Sequence, residues 1–147
     1  RAMAVELAWA GAAHLTLVTR REAQGVEVAH TVTQASGVPC EWQPWTGEVQ
    51  IPAGTHILLN ATHLGCAPEQ EPVPVNWNTI IPAMTVVDVI TNPRITPFLS
   101  TAQSIGCPIV DGVEMLVQLA MQIFEEWTGI KPDESVFQTA VAKALGE

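Results

Sequence analysis

Tyrosine is absent from this 147-residue chain, and charge is scarce. Only 14% of residues are charged, and 6 basic residues face 15 acidic ones, for a formal charge of −9. That balance repels a phosphate backbone and argues against a general nucleic-acid binder. No apolar run approaches the ~20 residues of a membrane span. No basic stretch followed by an apolar segment opens the chain, so no signal peptide is read and a cytoplasmic protein is expected. Cysteine is also sparse. Cys40, Cys66 and Cys107 are odd in number and widely spaced. They suit neither a disulfide framework nor a C-x-x-C metal site and are read as three buried thiols. His14, His30 and His56 show no ligand spacing with acids or cysteines, so no metal is expected. What the chain does have is a hydrophobic fraction of 48%, enough for a core at about one domain's length.

The chain opens at Arg1 on Ala2-Met3-Ala4-Val5-Glu6-Leu7-Ala8-Trp9-Ala10, a helix already under way that stops at Gly11. No Ser, Thr, Asp or Asn precedes it as a cap, so part of a longer chain is expected. Residues 14–19 read as a short buried strand, 20–34 as a weak helix and 38–42 as another strand. Residues 56–60 and 84–90 read as buried strands, separated by a proline-broken stretch. Thr96 as cap and Pro97 at the first helical position start a helix to about Ile105. A last strand spans 107–110, and helices follow over 114–127 and 133–145.

Strands thus alternate with helices. Continuous apolar strands imply a parallel sheet covered on both faces, a three-layer α/β architecture. Ligands in such sheets sit at the carboxyl ends of strands. The segments to inspect are therefore Thr19 to Glu22, Asn60 to Gly65, Val89 to Arg94, and Asp111 to Glu114.

Three of those strand ends carry a recognisable order of motifs. Asn60-Ala61-Thr62-His63-Leu64-Gly65 comes first, then Asp88 through Thr96-Pro97-Phe98-Leu99, then Asp111-Gly112-Val113-Glu114-Met115-Leu116-Val117. Phe124-Glu125-Glu126-Trp127-Thr128-Gly129 follows. Together they resemble the carboxyl-terminal, cofactor-binding part of the shikimate dehydrogenase family, which includes quinate dehydrogenases. The resemblance covers nearly the whole chain. It implies a Rossmann-like NAD(P)-binding domain, with residues 1–147 forming a partial dinucleotide-binding domain that includes the C-terminal helices. The family's glycine-rich turn and the strand before it would lie upstream of Arg1, and so would the substrate domain with its catalytic lysine and aspartate. No residue here takes those catalytic roles, so the chain by itself is expected to be inactive.

The resemblance further implies reversible reduction of 3-dehydroshikimate to shikimate in aromatic amino-acid biosynthesis. The implied ligand is a small cyclic hydroxy acid, and the implied state a monomer or homodimer. Thr19, Arg20 and Arg21 fall where dinucleotide folds read the adenosine ribose, about 20 residues beyond the glycine turn. An acid there favours NAD, whereas a guanidinium pairs with a 2′-phosphate and favours NADP. With no acid at the strand end, NADP is expected, and NAD is the alternative. A solvated arginine pair starting a helix is the plainer reading.

By the same resemblance, Asn60 and Thr62 lie along the cofactor, although they could equally satisfy turn backbone groups. His63 is taken as incidental. Val89 would present its backbone to the nicotinamide carboxamide, or simply fill the core. Gly112 would let its backbone approach the nicotinamide, or serve as a turn glycine with positive φ.

Two substrate positions depart from the family. Thr91 stands where a tyrosine is common, and Leu119 where a glutamine is common, with Gln118 just before it. On a helix, Glu114, Gln118, Gln122 and Glu125 form a polar stripe, and Leu116, Leu119, Ile123 and Trp127 an apolar stripe expected to pack inward. Gln118 could replace the missing contact only if the helix rotated. Three readings follow: an NADP-linked shikimate dehydrogenase, a dehydrogenase for quinate or another cyclic polyol, or a non-catalytic nucleotide-binding relative.

Overall fold

The structure, a computed structural model, describes residues 1–146. The chain divides into two compact units, Arg1–Gln50 and a second beginning at Ile51.

The first unit contains α1 (Ala2–Trp9), β1 (Leu15–Thr19), α2 (Glu22–Ser36) and β2 (Cys40–Pro44). β1 and β2 are parallel, with Leu15 opposite Cys40 and Thr19 opposite Pro44. Parallel neighbours need a long crossover, and α2 supplies it. Gly37, left-handed at φ +75°, ends α2 and turns the chain into β2. Ala4 and Ala8 of α1 pack on Val32 of α2, with Leu15, Leu17, Val38 and Cys40 closing around them. The small alanines let the two helices approach closely.

Gly25 sits inside α2, where glycine is unfavourable by about 1 kcal/mol relative to alanine. Its space explains it. A Cβ at Gly25 would strike the Trp42 indole and come within 2.6 Å of Thr19 Oγ1.

The second unit contains β3 (Ile57–Asn60), a 3₁₀ turn (Trp77–Thr79), β4 (Thr85–Asp88), α3 (Pro97–Ile105), β5 (Ile109–Val110), α4 (Gly112–Thr128) and α5 (Glu134–Leu145). Its sheet runs in the order β3-β4-β5, all parallel. Each of the three helices has a side-chain cap: Thr96 accepts from Leu99 N, Asp111 from Glu114 N and Asp133 from Ser135 N. Gly106, Gly129 and Gly146 end them in left-handed conformations. Met84, Val86 and Leu99 lie at the centre of the core.

The parallel α/β expectation holds, but the strands form two sheets rather than one. Among the described residues, β1 pairs only with β2, and β3 only with β4, so each has an open edge. That open edge is why these two strands are less buried than their sequences suggest. β1 is half-buried throughout, and Ile57 at the start of β3 is 48% exposed. The cysteines also divide: Cys107 is buried, Cys40 half-buried and Cys66 exposed in the loop after β3.

The inward stripe on α4 is a second correction. The residues that α4 buries are Gly112, Val113 and Val117. At 100° per residue, Leu119 lies about 140° from the Val113–Val117 seam and Leu116 about 80°. Both are accordingly exposed, at 49% and 43%, and Trp127 is 83% exposed.

Candidate functional site

The carboxyl ends of the strands gather the polar side chains of each unit. In the first unit, Thr19 closes β1 with its hydroxyl fully engaged. It accepts from Trp42 Nε1 at 2.9 Å and donates to the Arg21 carbonyl at 3.1 Å. Thr19 therefore shapes the strand end through its neighbours. Trp45 N donates to the Thr19 carbonyl at 3.0 Å, which extends the β1–β2 register past Pro44. Arg20 places its guanidinium carbon 5.8 Å from the Trp45 ring centroid. Arg21 occupies the N-cap position of α2 without a side-chain cap bond. Both arginines are exposed, and the first acid after them is Glu22, in the first turn of α2.

In the second unit, a buried polar network joins three segments. Asp88 ends β4, is fully buried, and accepts hydrogen bonds from Asn60 Nδ2 at 3.1 Å, Ile90 N at 3.1 Å and Thr96 Oγ1 at 2.7 Å. Burial pushes its carboxyl above the ordinary carboxylate range, opposed by the hydrogen bonds from Thr96, Ile90, Asn60 and Val89. Asn60 also donates to the Leu64 carbonyl at 3.0 Å, and its Oδ1 accepts from Thr62 N at 3.1 Å and Thr62 Oγ1 at 2.7 Å. Thr62 Oγ1 in turn accepts from Leu64 N at 3.1 Å. Asn60 and Thr62 thus satisfy turn backbone groups and hold the loop in shape.

Val89 N donates to the Asn60 carbonyl at 3.2 Å, fixing the exit of β4 against the exit of β3. Gly112 stands beside that exit. Its conformation is helical, so it is not a turn glycine with positive φ. A Cβ there would lie 2.6 Å from the Val89 carbonyl oxygen and meet the Ile90 carbonyl as well. Close packing of α4 on the end of β4 is what requires glycine at this position.

Asp111 caps α4 through one oxygen and accepts Arg94 Nε at 2.9 Å through the other. Arg94, Glu114, Gln118, Glu134, Gln138 and Thr139 help line a cavity of about 490 Å³ at the α4–α5 junction. Gln118 donates to Glu134 Oε1 at 3.2 Å there, whereas Leu119 turns away to solvent. Thr91 is half-buried on the loop after β4. Among the described residues no group of three or more His, Cys, Asp and Glu could hold a metal ion.

The structure therefore brings Asn60, Thr62, Val89 and Gly112 together at adjoining strand ends, and sets Thr19, Arg20 and Arg21 on the first unit. No family model matches the chain. Individual proteins do match. The NADP(+)-dependent shikimate dehydrogenase of Methanosarcina barkeri is 32% identical over 146 residues, covering 99% of this chain and 52% of the relative. Further NADP(+)-dependent shikimate dehydrogenases match this chain at about 30% identity, among them that of Archaeoglobus fulgidus at 31% over 88% of this chain and 47% of the relative. Among solved structures, the 5-ketofructose reductase of Gluconobacter sp. strain CHM43 superposes with a TM-score of 0.93 at 36% identity, covering 97% of this chain and 52% of that one. The quinate dehydrogenase of Corynebacterium glutamicum, solved with NAD, gives a TM-score of 0.85 at 24% identity and covers 49% of that chain, a likeness of fold. The chain spans about half the length of the shikimate dehydrogenases it matches. In fold, its parallel strands and helices match the Rossmann-like part of a solved shikimate 5-dehydrogenase of Listeria monocytogenes, with a TM-score of 0.84 at 18% identity over 95% of this chain and 51% of that one.

Several residues that organise the site were missed in the sequence. Asp88 carried a signal, since an acid inside the apolar run 84–90 needs partners if the strand is buried. Gly25 carried one too, as a glycine inside a helix. Trp42 and Trp45 carried none, because what they touch depends on the β1–β2 register.

Proposed function

We propose that this chain is the cofactor-binding portion of an NADP-dependent dehydrogenase of shikimate type, which reversibly reduces 3-dehydroshikimate to shikimate. Residues 1–147 would form part of its dinucleotide-binding domain, including the C-terminal helices. The observation that carries the reading is the Arg20–Arg21 pair at the end of β1, exposed and without an ion-pair partner in the unit. Two guanidinium forks there fit the oxygens of a 2′-phosphate. The bound nicotinamide would supply or accept the hydride at a ring carbon of the substrate.

This chain's own residues would bind and orient. Arg20 and Arg21 would hold the phosphate beside Thr19. The Asn60–Thr62 loop and the Val89 and Gly112 backbones would form the cofactor-side wall. Proton transfer would fall to the family's lysine and aspartate, for which no residue here is assigned. The chain by itself would therefore be inactive. The test is a titration of NADP and NAD into the full-length protein carrying alanine at both arginines. Each charge-assisted bond contributes about 1.5–3 kcal/mol, so NADP binding should weaken by about tenfold or more while NAD is nearly unchanged. Equal losses would mean the pair does not read the phosphate.

A second reading has its own support. Leu119 has no polar group and Thr91 a hydroxyl much shorter in reach than a tyrosine's, and the reductase at 36% identity acts, by its name, on 5-ketofructose. Quinate or another cyclic polyol would then be the preferred substrate, with Thr91, Gln118 and Leu119 at the substrate positions. Three cysteines without disulfides accord with a reducing, cytoplasmic setting. No helix is long and apolar enough to cross a membrane among the described residues.

A further inference from the structure

We infer that Trp45 is a specificity-determining positioning residue, which holds the Arg20 guanidinium at the end of β1 in readiness for a 2′-phosphate. This rests on the reading of Arg20 and Arg21 as the phosphate-reading pair. The grounds are geometric. Trp45 N donates to the Thr19 carbonyl at 3.0 Å, so the tryptophan backbone is registered to the residue immediately before Arg20. Trp45 is half-buried, and the Arg20 guanidinium lies over its ring in cation–π contact, 5.8 Å from guanidinium carbon to centroid.

The attraction to the ring draws on the charge of the guanidinium, whereas hydrogen bonds to phosphate use its N–H donors. The two contacts are compatible, so Trp45 can order Arg20 without consuming the donors that a phosphate needs. Arg20 makes no side-chain hydrogen bond or ion pair within the unit that would compete. The backbone beneath is fixed as well, since Thr19 Oγ1 bridges Trp42 Nε1 and the Arg21 carbonyl at 2.9 and 3.1 Å. Arg21 has no aromatic partner among the described residues. The pair is therefore unequal, with one arginine held by the fold and one free to follow the ligand. An arginine held in place loses less side-chain freedom on binding, which favours the ligand that carries the phosphate.

The experiment uses two probes, adenosine 2′,5′-bisphosphate and 5′-AMP, titrated by calorimetry into the full-length protein and its Trp45→Ala, Trp45→Phe, Arg20→Ala and Trp45→Ala/Arg20→Ala variants. An exposed cation–π contact corresponds to about a two- to fivefold effect. Trp45→Ala should weaken the bisphosphate by that factor and leave AMP unchanged. Trp45→Phe should keep most of the preference, and it serves as the test should the alanine variant fail to fold. The double variant should bind no more weakly than Arg20→Ala. Equal weakening of both probes by Trp45→Ala would overturn the inference, because the ring would then be contacting adenine. Unchanged binding in Trp45→Ala beside a loss in Arg20→Ala would overturn it too and leave the NADP reading standing. A wild-type protein that binds both probes equally would instead remove the NADP reading on which the inference rests.

Discussion

Thr96 ties the start of α3 to the end of β4. Its hydroxyl donates to the Asp88 carboxylate at 2.7 Å and accepts Leu99 N at 3.2 Å. Both residues are fully buried. One hydroxyl thus caps a helix and satisfies a carboxylate that has no cationic partner among the described residues. The exits of β3 and β4 depend on the same carboxylate through Asn60 and Ile90.

Thr96→Val keeps the shape of the side chain and removes both bonds. It leaves Asp88 short of a donor and Leu99 N uncapped. A lost cap is worth about 1 kcal/mol, and an unsatisfied buried acceptor about 1–3 kcal/mol more. Urea denaturation should show a loss of about 2–4 kcal/mol. Thr101→Val should be nearly silent, because the Thr101 hydroxyl bonds only back to the Pro97 carbonyl of its own helix. If the two variants behaved alike, the network would not be holding α3 to β4.

Asp88 should also leave a pH signature. Burial raises its folded-state carboxyl above the ordinary range. Between the unfolded value near 4 and the raised folded value, the native state holds a proton that the unfolded state has released. Stability from this group is therefore fully present below the unfolded value and declines as pH rises through the folded one. Asp88→Asn removes the titration. The difference in unfolding free energy between wild type and variant should shift in the variant's favour as pH rises from 4 to 7. A pH-independent difference would show that the Asp88 carboxyl is not raised.

Two glycines should be intolerant for a reason unrelated to turns. Gly25→Ala drives a methyl into Trp42 and Thr19, and Gly112→Ala drives one into the Val89 and Ile90 carbonyls. Overpacking of this kind costs typically about 1–3 kcal/mol. Gly112→Ala should be the worse, since backbone yields less readily than an indole. In a Trp42→Ala background the Gly25→Ala penalty should shrink, a coupling that a double-mutant cycle reads directly. An unchanged penalty would mean that the indole is not the obstacle.

Leu119→Gln should change stability by no more than about 0.5 kcal/mol, because the side chain is exposed in this chain. Its effect on kcat/KM for shikimate and quinate in the full-length protein bears on substrate choice. A gain for shikimate supports position 119 as the substrate contact. A shikimate rate that collapses in Gln118→Ala and does not rise in Leu119→Gln would assign the contact to Gln118, which already faces the cavity at the α4–α5 junction.

Local chemistry made much of this protein legible from its sequence. Gly11 and Gly106 stop helices because glycine accepts the left-handed turn, and Thr96-Pro97 starts one because the cap and the fixed φ of proline are local properties. Apolar runs marked the strands, with β2 placed two residues early, and the order of motifs pointed to the shikimate dehydrogenases that the chain resembles. The tertiary structure alone decided what depends on neighbours far along the chain. Helical periodicity placed Leu116, Leu119 and Trp127 on one stripe, but periodicity does not say which stripe faces the core, and Val113 and Val117 took that place. A parallel architecture was readable, but not its register, such as Leu15 opposite Cys40 and Ile57 opposite Thr85, since pairing joins residues distant in sequence. The same holds for Asp88, Gly25 and Trp45. Each has an ordinary side chain, or none, and its role comes from a carboxylate, an indole or a guanidinium that only folding brings within reach.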